Sequence, residues 1–326
     1  MSPAATGPAT AQLRSTGQLP SGGPLSELLA RTPAPPPHPH ADALRAELTH
    51  WLAGTGVLDA AGTARFLDRG HLELAARCWG DVPAGPGLRT AAKWLLLAGI
   101  LDDHVEDRRP GDPTGAARHT IGALHALFAG GTPTAAPGHG AALVRAFAAL
   151  RRDGAALTGP DWAVRCDADF RAHLDSSLAR LSADGTVPTV PQYLTHRERD
   201  GAARCAAGWV ELAHGLDLPD RLHRHPQLTD LLTRFRHLVR WIDDLGAGRT
   251  AASSGRTLVR ALEVHRGLPP RTAAARVAEL CAAELTTLEF LADGIARGSH
   301  WPTPVRRHAR GLVRYAHALI HWTADR

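Results

Sequence analysis

Apolar residues recur every three or four positions along most of this chain, the spacing that places them on one face of a helix. Ala43, Leu44, Leu48, Trp51 and Leu52 mark one amphipathic helix, and a second runs roughly from Ala60 to Cys78. The turn from Asp81 to Gly87 leads into an apolar helix around Trp94 to Leu101, and Pro110 and Pro113 interrupt the segment after it. Further helices are predicted over about 114–130, 138–153, 160–183, 189–216, 227–247, 255–266, 271–297 and 303–323. Glycine and proline punctuate the breaks, at Gly130-Gly131, Gly154, Gly185, Gly215, Gly267 to Pro270 and Gly298. No stretch alternates with the period of a strand, and no 20–50-residue repeat occurs. The pattern predicts one all-α domain of about ten helices over residues 41–326. Residues 1–40 are rich in Pro, Gly, Ser, Thr and Ala, a composition that cannot fill a core, and are expected to form a disordered or loosely packed leader.

Two of these helices end in acids. Trp94-Leu-Leu-Leu-Ala-Gly-Ile-Leu101 runs directly into Asp102, Asp103, Glu106 and Asp107. On a helix Asp102 and Glu106 share a face, as do Asp103 and Glu106. A helix C-terminus is a poor place for anions, because the dipole is already negative there. Either these carboxylates stand in water or cations hold them. Clustered oxygen ligands without cysteine suit Mg²⁺, a hard cation that also accepts phosphate oxygens. The second case is Leu238, Val239, Trp241 and Ile242, followed by Asp243-Asp244. If antiparallel helices bring both pairs to one mouth of a bundle, the pairs face each other across a cavity.

Composition narrows the class. The chain has 326 residues, 44% of them hydrophobic, enough for a large core. The formal charge is +5, but the arginines are scattered, aromatics are only 5%, and Lys93 is the only lysine. A nucleic-acid groove calls for a basic stripe with stacking aromatics, so that class is set aside. Cys78, Cys166, Cys205 and Cys281 are far apart and form no CxxC, as expected of reduced thiols in a cytoplasmic protein. No signal peptide is evident and no apolar run is long enough for a membrane span. His317, His321 and Asp325 sit at i, i+4 and i+8, a spacing that 19 histidines produce easily by chance. His38 and His40 read as part of a solvated tail.

A third stretch, Tyr193-Leu-Thr-His-Arg-Glu-Arg-Asp-Gly201, puts Arg197 and Asp200 on one helical face with Gly201 interrupting the helix. This is either a surface salt bridge or an arginine fork for a phosphate, oriented by Asp200. Here the sequence resembles the bacterial class I terpene synthases, from about Pro35 to the C-terminus. Asp102-Asp-His-Val-Glu106 is similar to the family's aspartate-rich motif. The segment from Tyr193 through Gly201, Glu211 and Gly215 to Leu218-Pro219 resembles its YLxxRxxxG…E…LP segment. Asp243-Asp244-Leu245 falls where the family opens its second metal motif. Trp301 and Trp322 resemble the tryptophans of its last helices.

The resemblance implies a class I terpenoid synthase-like α-helical bundle around a central apolar cavity. It assigns Asp102, Asp103, Glu106, Asp243 and Asp244 to Mg²⁺. It makes Arg197 the pyrophosphate sensor, Asp200 the linker, and Gly201 the effector whose carbonyl faces the substrate. The implied partner is a prenyl diphosphate, farnesyl first, and the implied reaction is ionisation and cyclisation with release of pyrophosphate. A homodimer is compatible with this reading. Departures from the family pattern support an alternative. The second motif runs Asn-Asp-x-x-Ser-x-x-x-Glu, whereas these ligand positions hold Asp243, Ala247 and Ala251. Leu97, Ile100 and Leu101 stand where aromatics precede the first motif, and no Arg-Tyr follows the last Trp. A protein with a lost or altered metal site, taking an unusual allylic diphosphate or only binding an apolar ligand, fits those departures.

Overall fold

The computed structural model describes residues 25–106, 115–134, 138–182, 185–247 and 256–325. These contain fifteen helices and no strand. Helices α1 (Ser26–Arg31), α2 (Ala41–Thr55), α3 (Ala60–Leu67) and α4 (His71–Cys78) lead into α5 (Pro86–Glu106). Then come α6 (Gly115–Phe128), α7 (His139–Leu157), α8 (Pro160–Leu181), α9 (Val190–Arg199) and α10 (Ala202–Ala213). The chain continues through α11 (Asp220–His223), α12 (Pro226–Ala247), α13 (Leu258–Arg266), α14 (Pro270–Arg297) and α15 (Thr303–Asp325). One stretch predicted as a single helix is thus split, and another divides where Gly201 was expected to interrupt it. The stretch 60–78 breaks at Gly70, whose φ of 76° is left-handed and costs a side-chain-bearing residue more than glycine. The stretch 189–216 breaks at Asp200-Gly201.

α5 packs on α7 and α10, α12 packs on α14 and α15, and α10 joins the two groups by touching α5, α8 and α12. The apolar stripe of α5 is buried along its length, including Leu97, Ile100 and Leu101. Trp94 closes an aromatic knot with Phe128, Phe147 and Phe170. Phe170 lies 4.4 Å from Phe128, 4.9 Å from Phe147 and 5.4 Å from Trp94, centroid to centroid. Burying each such ring stabilises the fold by about 1.5–3 kcal/mol. The knot fixes α5 against α6, α7 and α8 two turns before Asp102.

Residues 25–40 lie packed against the helical body, which narrows the expected loose leader. Leu25 and Leu28 are buried. His321 Nε2 donates to the Thr32 carbonyl at 2.9 Å, and Arg314 Nη2 donates to the Pro36 carbonyl at 2.5 Å. His38 Nε2 bonds the Val82 carbonyl at 2.9 Å. The physical reason is that an extended proline-rich backbone has few internal bonds, so its carbonyls are open to basic side chains of other elements. Arg314 is thereby committed to this strap and to the Arg77 carbonyl at 3.0 Å. His317 bonds Glu289 at 2.8 Å while His321 bonds Thr32, so the three-ligand spacing on α15 brings no cluster together. The four cysteines are all free, and burial pushes each thiol up. Among the described residues no helix is long and apolar enough to cross a membrane.

Candidate active site

α5 delivers its acids to a half-exposed ledge. Asp102 Oδ1 accepts from Arg180 Nη2 on α8 at 2.8 Å, and His173 Nε2 lies 3.7 Å away. Asp103 accepts from Arg69, in the turn after α3. Burial pushes the Asp102 carboxyl up, but His173, Arg180 and Arg240 outweigh it and hold it below its ordinary value. The side chain of Glu106, like all of Asp107, lies outside the described residues.

α12 delivers its pair differently. Asp244 is 1% exposed, and both its oxygens are engaged. Oδ2 accepts from the Tyr193 hydroxyl and from the Leu258 amide at 2.7 Å, and Oδ1 accepts from Arg197 Nη2 at 2.9 Å. Burial still leaves this carboxyl above its ordinary value despite those donors. Asp243 points outward, its side chain 61% exposed and 3.7 Å from Arg240 Nη1.

The junction of α9 and α10 supplies the basic side. A capping box at Thr189 with Gln192 starts α9, and Asp200 ends it in extended backbone. Asp200 Oδ1 then accepts the Ala202 amide at 3.1 Å, while Oδ2 accepts from Arg197 Nη1 at 3.3 Å and pairs with Arg240. The predicted Arg197–Asp200 partnership is therefore present. Gly201 is required by a close approach, since a Cβ there would fall 1.7 Å from the Asp169 carbonyl oxygen on α8. Its own carbonyl accepts the Cys205 amide at 2.8 Å and heads the α10 ladder, whereas the resemblance turned it toward substrate. His173 is buried between Asp200 and Asp102, 3.6 Å from the former, and burial lowers its pKa to about 4. Burial and the neighbouring Arg197 lower Arg240 to about 10, so it is a cation at neutral pH.

A cavity of about 440 Å³ opens at this junction, lined by Arg180, Tyr193, Arg197, Asp243 and Arg256 among others. Arg180 binds Asp102 and faces the same cavity as Asp243, so the acid-tipped helices do meet at one end of the bundle. The donor set suits a hard cation. It offers carboxylate oxygen and no thiol, and Asp102, Asp103 and Asp243 keep surface that a cation can reach. Asp244 does not fit that role, because three protein donors already use it. Among the described residues no three His, Cys, Asp or Glu side chains converge in a ready-made cluster.

Sequence reasoning missed His173, Arg180 and Arg240. The available signals were weak. His173, Ser177 and Arg180 follow helical spacing on α8, and Arg240 stands three residues before Asp243. In an arginine-rich chain neither signal separates a site from a solvated face.

An all-α bundle with acid-tipped helices and arginines around one cavity has the architecture of a class I terpene synthase. A linalool/nerolidol synthase from Streptomyces clavuligerus superposes with a TM-score of 0.77 at 19% identity, over 90% of this chain and 100% of that one. Cucumene synthase superposes at 0.73 and 22% identity, over 91% and 99%. Residues 93–287 match terpene synthase family 2, C-terminal metal binding, and the chain belongs to that family. Similar sequences include sesquiterpene synthase Agr3 of Cyclocybe aegerita, 30% identical over 44% of this chain and 41% of its own length. (+)-T-muurolol synthase of Roseiflexus castenholzii is 28% identical over 64% and 63%. Epi-isozizaene synthase of Streptomyces coelicolor is 24% identical over 87% and 82%. The match spans less than half of Agr3 and less than two thirds of the muurolol synthase.

Proposed function

We propose that this protein is a Mg²⁺-dependent class I terpene cyclase acting on a linear prenyl diphosphate, farnesyl diphosphate first. The observation that carries this reading is the cavity, which Arg180, Arg197 and the reachable Asp243 line and from which Arg180 reaches Asp102. The sesquiterpene synthases among its relatives support the farnesyl choice, one of them being described as cyclising (2E,6E)-farnesyl diphosphate.

Asp102, Asp103, Glu106 and Asp243 would hold the metal. Mg²⁺, when bound, supplies Lewis-acid charge to the departing diphosphate. Arg197 spends one N–H on Asp244 and one on Asp200, and its planar fork keeps further donors for a diphosphate oxygen. Asp244 and Asp200 are positioning residues, which aim that fork. Gly201 lets α8 close on α10, which sets His173 between Asp102 and Asp200 and brings Arg180 up to the cavity. Apolar walls then fold the chain of the substrate and exclude water from the allylic cation. The free thiols support a cytoplasmic location.

The test is incubation with geranyl, farnesyl and geranylgeranyl diphosphates plus Mg²⁺, reading volatile products and pyrophosphate release. Product from farnesyl diphosphate is the expected result. A second reading is favoured by Ala247, Ala251 and the arginines that already occupy the acids. It is a terpene-synthase-like protein of altered or lost chemistry. Absence of pyrophosphate release with all three substrates would select it.

A further inference from the structure

Two of the three ligand positions that the resemblance expects in the second acidic motif hold alanine, at 247 and 251, whose side chains carry no oxygen; position 251 lies outside the described residues. The structure puts guanidinium groups into the same region. Arg240 on α12 is 7% exposed and pairs with Asp200 beside Asp243. Arg180 donates to Asp102 and lines the cavity. Arg197 reaches the cavity from α9. Arg256, just ahead of α13, lines the same cavity and has no hydrogen bond or ion pair with the described residues.

Charge decides what these groups can do. Among the described residues the arginines at 69, 180, 197, 199, 240 and 256 stand against the aspartates at 102, 103, 175, 200, 243 and 244, so the cluster is formally neutral before anything binds. A diphosphate ester brings about three negative charges at neutral pH. Three divalent ions bring about six positive charges and would leave about three uncompensated in a partly desolvated place, which is costly. One divalent ion leaves the cluster within about one charge of neutrality. Guanidinium forks match phosphate oxygens in geometry as well as in charge.

We propose that Arg180 and Arg256 join Arg197 in holding the diphosphate directly, with Arg240 behind them, in place of metal beyond what the α5 acids and Asp243 can hold. This rests on the cyclase reading for its ligand class. Divalent metal is then needed only between the α5 acids and Asp243, and diphosphate affinity survives its removal.

The test is calorimetric titration of inorganic pyrophosphate into the full chain, once in EDTA and once at saturating Mg²⁺. The affinity in EDTA is expected to lie within tenfold of that in Mg²⁺. Arg180→Gln and Arg256→Gln should each weaken metal-free binding at least tenfold, and Arg256→Lys should recover part of the loss. Arg256 has no described partner to lose, so its variants should keep the native melting temperature. A drop of more than tenfold on removing Mg²⁺ from the native protein would overturn the proposal. So would a metal-free affinity unchanged in both glutamine variants. Binding is read here without turnover. Metal-free binding in a protein that releases no pyrophosphate from prenyl diphosphates would sink the cyclase reading and leave the arginine cradle standing. Turnover without metal-free binding would do the reverse.

Discussion

α5 and α12 both run apolar residues into Asp-Asp, yet the two pairs end in opposite surroundings. At the end of α5 both acids are about equally open, 37% and 39% exposed, with arginine supplied to each from a different element. At the end of α12 the pair splits into an outward Asp243 and a sealed Asp244. The dipeptide does not decide this, because the difference is made by what arrives from elsewhere. Tyr193 and Arg197 come from α9, and the Leu258 amide comes from the start of α13. Three donors offset the cost of burying one carboxylate. No such convergence seals Asp102 or Asp103. One acidic pair stays partly open to solvent, while half of the other is spent on architecture.

Removing the sealed acid should have the largest effect. Asp244→Ala leaves the buried Tyr193 hydroxyl without its acceptor and Arg197 with Asp200 alone, and should cost about 3–5 kcal/mol in urea unfolding. A cost below about 1 kcal/mol would show that Asp244 is no more structural than its neighbour. Asp102→Asn is the mirror case. Turnover should fall at least about 100-fold, or about 2.7 kcal/mol in barrier, while unfolding free energy changes by less than about 1 kcal/mol. Normal turnover in that variant would remove Asp102 from the site.

Acid should also separate the two regions, because a histidine backs α5 and a tyrosine backs Asp244. Burial lowers His173 to about 4, and it lowers His308, beside Glu211, His223, His214 and Arg165, to about 4 as well. The unfolded chain titrates near 6.5 and binds the extra proton first, so stability is full above that pH and falls as pH drops from 6.5 toward 4. The loss should approach about 1.4 kcal/mol per pH unit for each histidine, read from urea midpoints at pH 7 and pH 5. A midpoint that stays flat would mean that both imidazoles are already charged in the fold. The smallest effect belongs to Asp103→Asn, which breaks an open pair with Arg69 and should cost less than about 1 kcal/mol in the same assay.

Much of the bundle was legible in the sequence because a buried helix writes its period into the chain. The helix at Pro226–Ala247 and the one at Pro270–Arg297 lie within a residue of their predicted bounds. The split at Gly70 was not legible, since a glycine within an amphipathic pattern reads as tolerated until its φ is known. At the site, the Arg197–Asp200 pairing was visible in its i, i+3 spacing. The burial of Asp244 was not, because it depends on partners 51 and 14 residues away. The placement of Arg180 and Arg240 also depends on packing, and local spacing carries little of it.

The strap between residues 32 and 321 sets an order in time. Thr32 and Pro36 are held by His321 and Arg314, side chains of α15, which leaves the ribosome after every other helix of the bundle. Those bonds span 289 and 278 residues of sequence, so they cannot form until nearly the whole bundle has been synthesised. Closing so long a loop is entropically costly, and it is cheapest once intervening helices have already brought the ends together. Thr32 and Pro36 must therefore wait through synthesis without these two partners, while His38 can meet the Val82 carbonyl early, and the docking of the strap on α15 belongs to the final stage of folding.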